Sequence, residues 1–228
     1  MSTVYMSAAN AHERRRGPDG PRAAAPLCVA ALCLAALALT WVVAALVPAT
    51  HYKDAVALYR FTLLGGPRLD EIAEGLLGLL EPIWYTVWAV AIVAVALWRR
   101  RPQLGFAVAL VLALAPMIAE LLKPLLAHGH ASVGDTSVGA ASWPSGHATA
   151  VTVLALCAAL VAPERLRPAV AAVGVTLMAA VGFSLVVLAW HLPSDVLGGY
   201  LLGTLCVALA LAGVRLAQAG APVRRRSP

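Results

Sequence analysis

Six runs of apolar residues, separated by short polar gaps, dominate the chain. They are Leu27–Val47, Pro82–Trp98, Gln103–Leu122, Gly146–Ala162, Ala169–Trp190 and Val196–Val214. A helix of about 20 apolar residues crosses about 30 Å of hydrocarbon. In that medium every backbone polar group must be bonded within the protein, so the runs are expected to be helices. Composition agrees: 61% of the 228 residues are hydrophobic and 12% are charged, against about 25% charged in soluble domains. The expected fold is an all-α integral membrane protein, a bundle of six transmembrane helices. The four cysteines, Cys28, Cys33, Cys157 and Cys206, lie inside apolar runs without a Cys-x-x-Cys pair. They read as small apolar residues, not as disulfides or metal ligands.

The basic residues alternate between the gaps. Arg14, Arg15, Arg16 and Arg22 precede the first run. Arg99, Arg100 and Arg101 follow the second, Arg165 and Arg167 follow the fourth, and Arg215, Arg224, Arg225 and Arg226 follow the sixth. That accounts for thirteen of the 17 Lys and Arg residues. The positive-inside rule then puts both termini in the cytoplasm. The net charge of +6 is a topology signal with attraction for anionic lipid, not a nucleic-acid footprint. The organisation expected is a disordered cytoplasmic segment 1–26, a membrane domain 27–214 and a basic cytoplasmic tail 215–228. The first run, longer than a signal peptide's core of about 7–15 residues, reads as an uncleaved anchor. In the outer connection 48–81, "LDEIAEGLLGLLE" has helical apolar spacing with Asp70, Glu71, Glu74 and Glu81 opposite. It fits an interfacial helix or a short helix packed over the outer mouth of the bundle.

Four histidines, His128, His130, His147 and His191, fall at the outer ends of runs three to six. Ionisable groups at membrane depth are expensive, so their collection on one face marks a site. In "AELLKPLLAHGH", Glu120 and Lys123 end the third run, and a snorkelling Lys paired with Glu at i,i+3 is the plain alternative. In "SWPSGHATA", Ser145 is placed to cap the fourth helix. Gly146 then lets a ligand approach free backbone N–H groups, an arrangement that suits an anion such as phosphate, with His147 in reach. In "WHLPSDVLGG", Pro193 starts the sixth helix. The Asp195 carboxylate can hold one nitrogen of His191 while the other faces a substrate.

Together these residues resemble the type 2 phosphatidic acid phosphatase family, related to the vanadium haloperoxidases. Its pattern is Lys-x6-Arg-Pro, then Pro-Ser-Gly-His, then Ser-Arg-x5-His-x3-Asp. Lys123 begins the first motif, Pro144 to His147 match the second, and Ser184, His191 and Asp195 match the third. The resemblance implies hydrolysis of a lipid phosphate or polyprenyl diphosphate without metal or other cofactor. The active site would face the extracytoplasmic side of a multi-pass cell-membrane protein. It implies His191 as the nucleophile that becomes phosphohistidine, Asp195 as its orienter and His147 as general acid. Lys123, Ser145 and the Gly146 amide would hold phosphoryl oxygens.

Two motif arginines are replaced. His130, followed by Ala131, stands at the first position and Leu185 at the second. Each charge-assisted hydrogen bond is worth about 1.5–3 kcal/mol, so two uncompensated losses slow turnover by roughly 10²–10⁴. His130 is a conditional substitute, cationic when bound phosphate raises its pKa, and Arg60 or Arg68 of the first outer connection are candidates for the second position. Two other readings stand beside this one. One is a family member that binds or transports lipid phosphates without catalysis. The other is a metal site drawn from His128, His130, His147 and His191.

Overall fold

The computed structural model describes residues 20–220, with side chains from 23 to 219. Eight helices follow in order: α1 (Gly20–Leu46), α2 (Pro48–Thr62), α3 (Pro67–Gly78), α4 (Pro82–Trp98), α5 (Pro102–Leu125), α6 (Gly146–Val161), α7 (Arg167–Val187) and α8 (Pro193–Gly220). The described residues form no strand; one isolated bridge pairs Val133 with Thr136. Proline punctuates the chain. Pro48, Pro67, Pro82 and Pro102 each stand at a helix start, where the missing N–H costs nothing and φ is already helical.

Helices α1 (Ala23–Leu46), α5, α7 and α8 (Pro193–Ala219) are each long and apolar enough to cross a membrane, and α3 with α4 qualifies as one span bent by 53°. The chain is thus a multi-pass helical membrane protein with four such helices, or five spans with the bent pair. Of the six runs, only the fourth remains outside that set. Its helix, α6, has 16 residues and rises only about 24 Å. The physical reason is its place at the centre. Helix α6 packs against α4, α5, α7 and α8 and buries Ala148, Thr149, Ala150, Val151, Thr152, Val153, Cys157 and Val161. A helix wrapped by protein has no hydrocarbon thickness to match. The peripheral helices instead expose large apolar residues such as Leu32, Val90 and Phe106, as lipid-facing surfaces do.

Two features differ from the reading of the sequence. Helix α1 begins at Gly20, several residues before Leu27; residues 1–19 and 221–228 lie outside the described residues. The connection after α1, read from the sequence as outer, carries two helices rather than one. Helix α2 contacts α1, α7 and α8. Helix α3 packs on α7 and buries Ala73 and Leu77, so the acidic helix is part of the bundle's cover.

Close helix approach sets the position of the histidine-bearing end. Gly199 and Gly203 of α8 face α6 so tightly that a Cβ at Gly199 would meet the Ser145 carbonyl oxygen at 2.5 Å, and one at Gly203 would meet Thr152 Cβ at 2.8 Å. Small residues four apart are the usual means of near approach between membrane helices. Here they bring the N-termini of α6 and α8 side by side. Ser145 N–H donates to the Asp195 carbonyl at 3.0 Å, which locks the two starts together.

Candidate active site at the histidine-bearing end of the bundle

Ser145 begins the site. Its side chain is fully buried and caps α6 by accepting from Ala148 N–H at 3.4 Å. Its carbonyl accepts from Thr149 N–H at 3.0 Å and from Thr149 Oγ1 at 2.8 Å. The N–H groups of Gly146 and His147 come before the helix's own ladder and point out of its positive end. Over Gly146 lies the Glu120 carboxylate: a Cβ added there would meet Glu120 Oε1 at 2.5 Å and Lys123 Nζ at 3.9 Å. Lys123 donates to the same oxygen at 2.7 Å. The Glu120 carboxylate, paired with Lys123, thus lies beside Gly146 at the start of α6.

His191 and Asp195 reach the site through the α7–α8 turn. Leu188, Ala189 and Trp190 N–H donate back to Ser184, Val186 and Leu185 carbonyls, which ends α7. Ala189 carries the turn in the left-handed region at φ 55. His191 Nδ1 then lies 3.4 Å from Asp195 Oδ2. The same oxygen accepts from Leu192 N–H at 3.0 Å. Asp195 is fully buried, and its Oδ1 has no hydrogen-bond partner. A buried carboxylate with an unused oxygen is poised to compensate positive charge on the neighbouring imidazole. His147 lies beside Trp190, ring centroids 6.0 Å apart and planes tilted by 57°, and is within electrostatic reach of His191, Lys123, Glu120 and Glu81.

His130 lies on the α5–α6 connection at the rim. Its Nε2 is 3.1 Å from Ser142 Oγ, and its ring is 4.5 Å from that of His128. His128 in turn meets His51 of α2 at 6.3 Å. Burial lowers the His130 pKa from its ordinary value; the Asp195 charge pulls it back up, while His128 and His51 push it down. Among the described residues, no three His, Cys, Asp or Glu side chains are arranged to hold a metal ion.

The structure thus brings Lys123, Ser145, Gly146, His147, His191 and Asp195 to one end, with His130 beside them. It does not bring Arg60 or Arg68 to them. Both are exposed, and no hydrogen bond or ion pair joins either to a site residue. Leu185 is fully buried in an apolar cluster with Leu58 of α2, Leu77 of α3 and Leu192.

Two contributors escaped the sequence reading. Asp54 of α2 accepts from Ser194 N–H at 3.3 Å and from Ser194 Oγ at 2.5 Å, capping α8 one residue from Asp195. Burial raises the Asp54 pKa, the Ser194 side-chain bond opposes this, and the Asp195 charge adds to the rise. His51 completes the histidine rim. Both lie on α2, whose helical spacing was the only available signal.

Comparison with known proteins agrees with this geometry. Residues 104–218 match the PAP2 superfamily, a span that runs from α5 to α8 and holds every one of these site residues except Asp54 and His51. Among solved structures, the chain is similar to the first transmembrane PAP2 type phosphatidylglycerolphosphate phosphatase from Bacillus subtilis, known from its crystal structure. The TM-score is 0.67 at 21% identity, covering 86% of this chain and 98% of that one. No curated protein matches the sequence. With the match extending over just over half its length and containing the capped α6 start and the His191–Asp195 pair, the chain belongs to the PAP2 superfamily.

Proposed function

We propose that the protein is a membrane lipid phosphatase. It would hydrolyse a lipid phosphate or a polyprenyl diphosphate at the extracytoplasmic face, through a phosphohistidine and without metal, in a chain of six spans with both termini in the cytoplasm. The observation that carries this reading is the meeting of His147 and the His191–Asp195 pair over the capped N-terminus of α6. His191 Nε2 attacks phosphorus while Nδ1–H is held by Asp195. The bond from phosphorus to the lipid oxygen breaks, and that oxygen takes a proton from His147. Water then attacks the phosphohistidine and gives its proton to His147. Inorganic phosphate leaves and His191 is restored. Lys123, the Ser145 hydroxyl, the Gly146 amide and His130 would hold the phosphoryl oxygens as charge develops.

Phosphate release by purified protein across a panel of lipid phosphates tests the reading. Release from at least one lipid, lost in His191→Ala, supports it. A second reading, binding or transport of a lipid phosphate without turnover, is favoured by Leu185, buried at 0% exposure where the family has an arginine. Tight binding with no release from any lipid on the panel would establish that reading instead.

A further inference from the structure

At the end of the bundle opposite the histidines, a cavity of about 870 Å³ opens between α1, α5, α6, α7 and α8. That size suits a lipid headgroup with the start of its chains. Its rim carries Arg100, Arg101, Arg167 and Arg215, and its walls are apolar, with Leu104 and Leu160 among them. No acidic side chain lines it among the described residues. The N-termini of α5 and α7 open at the same rim, adding positive potential. Two further observations point to a ligand. Arg167 Nε is buried without a hydrogen-bond partner, which is costly for a cationic group. Arg100 ends α4 in the left-handed region at φ 55, with N–H bonds from Arg100 to Leu97 and from Arg101 to Ala96. Glycine is the favoured residue for that turn, so the arginine there runs against backbone preference.

From this clustering of arginines over an apolar cleft we infer a binding site for an anionic phospholipid, its phosphodiester held by Arg100, Arg101 and Arg167 and its acyl chains along the leucine wall. The leucine wall gives a free phosphate ion nothing to contact, so the occupant is an amphiphile. Basic pockets between membrane helices are recognised lipid-headgroup sites. This site is separate from the proposed catalytic end and independent of turnover there.

Native mass spectrometry of the full chain in detergent, with phosphatidylglycerol and phosphatidylcholine as probes, tests the inference. The expected result is at least tenfold preferential retention of one phosphatidylglycerol, equal in wild type and His191→Ala. Millimolar inorganic phosphate should not displace it. Arg101→Gln with Arg167→Gln should reduce retention at least fivefold while phosphate release stays unchanged. Arg100→Gly provides a variant that relieves the backbone. It should fold at least as stably as wild type and retain the lipid at least threefold less. Equal retention of the two lipids, retention unaffected by the arginine variants, loss in His191→Ala, or displacement by inorganic phosphate would each overturn the inference.

Discussion

Asp54 and Ser194, 140 residues apart in sequence, are joined by two hydrogen bonds, from Ser194 N–H at 3.3 Å and from Ser194 Oγ at 2.5 Å. The pair ties α2 to the first turn of α8, where Asp195 emerges. Hydrogen bonds to a charged group contribute about 1.5–3 kcal/mol. If that energy holds Asp195 against His191, its loss appears in turnover more than in substrate binding. Asp54→Ala is expected to lower kcat about 10–100-fold with KM within about threefold. Asp54→Asn, which keeps an acceptor, should retain most activity. Ser194→Ala and Asp54→Ala should be strongly non-additive in a double-mutant cycle on kcat; additive losses would place the pair's role elsewhere.

On the proposed function, Glu120 competes with an incoming phosphate at the start of α6. Its Oε1 lies over Gly146 and is bonded to Lys123 at 2.7 Å. The side chain is 60% exposed, so it can swing away. Glu120→Gln removes a competing charge and is expected to lower the inhibition constant for inorganic phosphate about 2–5-fold, within the range of an exposed charge interaction. Lys123→Ala should raise it. Gly146→Ala meets only the flexible tip of Glu120, so stability should change by under about 1 kcal/mol while KM rises. Inhibition by phosphate measured on the three variants decides between them.

The His130 pKa is lowered by burial, and the neighbouring His128 and His51 oppose its protonation while Asp195 and a Gly139 backbone bond favour it. At pH 7.5 His130 is therefore neutral before substrate binds, and His130→Ala should then cost activity only if bound phosphate itself drives protonation. The expected outcome is a larger loss in His130→Ala at pH 5.5 than at pH 7.5, read from phosphate release. Stability follows the same sign. A folded pKa below the unfolded value of about 6.5 makes a contribution that is present above about pH 6.5 and lost as pH falls toward the folded pKa. Thermal unfolding of wild type should thus shift down on acidification below about 6.5, and His130→Ala should shift less.

The side chains gathered at the candidate site were legible because the motifs that hold them are local. Asp195 is one turn from His191, and Ser145 caps the helix that carries His147; such spacing survives any tertiary arrangement. The resemblance extended this to Lys123. The starts of α4 and α6 were legible for the same reason, since Pro82 and Ser145 mark them directly. What local pattern does not carry is contact over distance. Nothing in "ATHYKDAVALYRF" indicates that Asp54 meets Ser194 or that His51 meets His128. Nor does the sequence reveal that Leu185, at an arginine position, packs against Leu58 and Leu77 from the outer helices. The run Gly146–Ala162 is short for a span at 17 residues, but its place at the centre was not legible, because hydropathy cannot distinguish lipid-facing from protein-facing apolar residues.

The α6–α8 contact yields a test of how packing sets catalytic geometry. A Cβ at Gly199 would lie 2.5 Å from the Ser145 carbonyl oxygen, 2.7 Å from Ala148 Cβ and 3.0 Å from Thr149 N. Two of these three atoms are backbone of α6, so relief requires the helices to separate. Over-packing of this kind costs about 1–3 kcal/mol. It also stretches the Ser145–Asp195 link of 3.0 Å, moving His147 away from His191. Gly213, on the same helix, has nothing within 4 Å of an added Cβ and serves as the control. Gly199→Ala is expected to lower thermal stability in detergent and to reduce kcat about tenfold or more. Gly213→Ala should gain up to about 1 kcal/mol from helix propensity and keep full activity. Equal behaviour of the two variants would show that the close approach of α6 and α8 does not set the distance between His147 and His191.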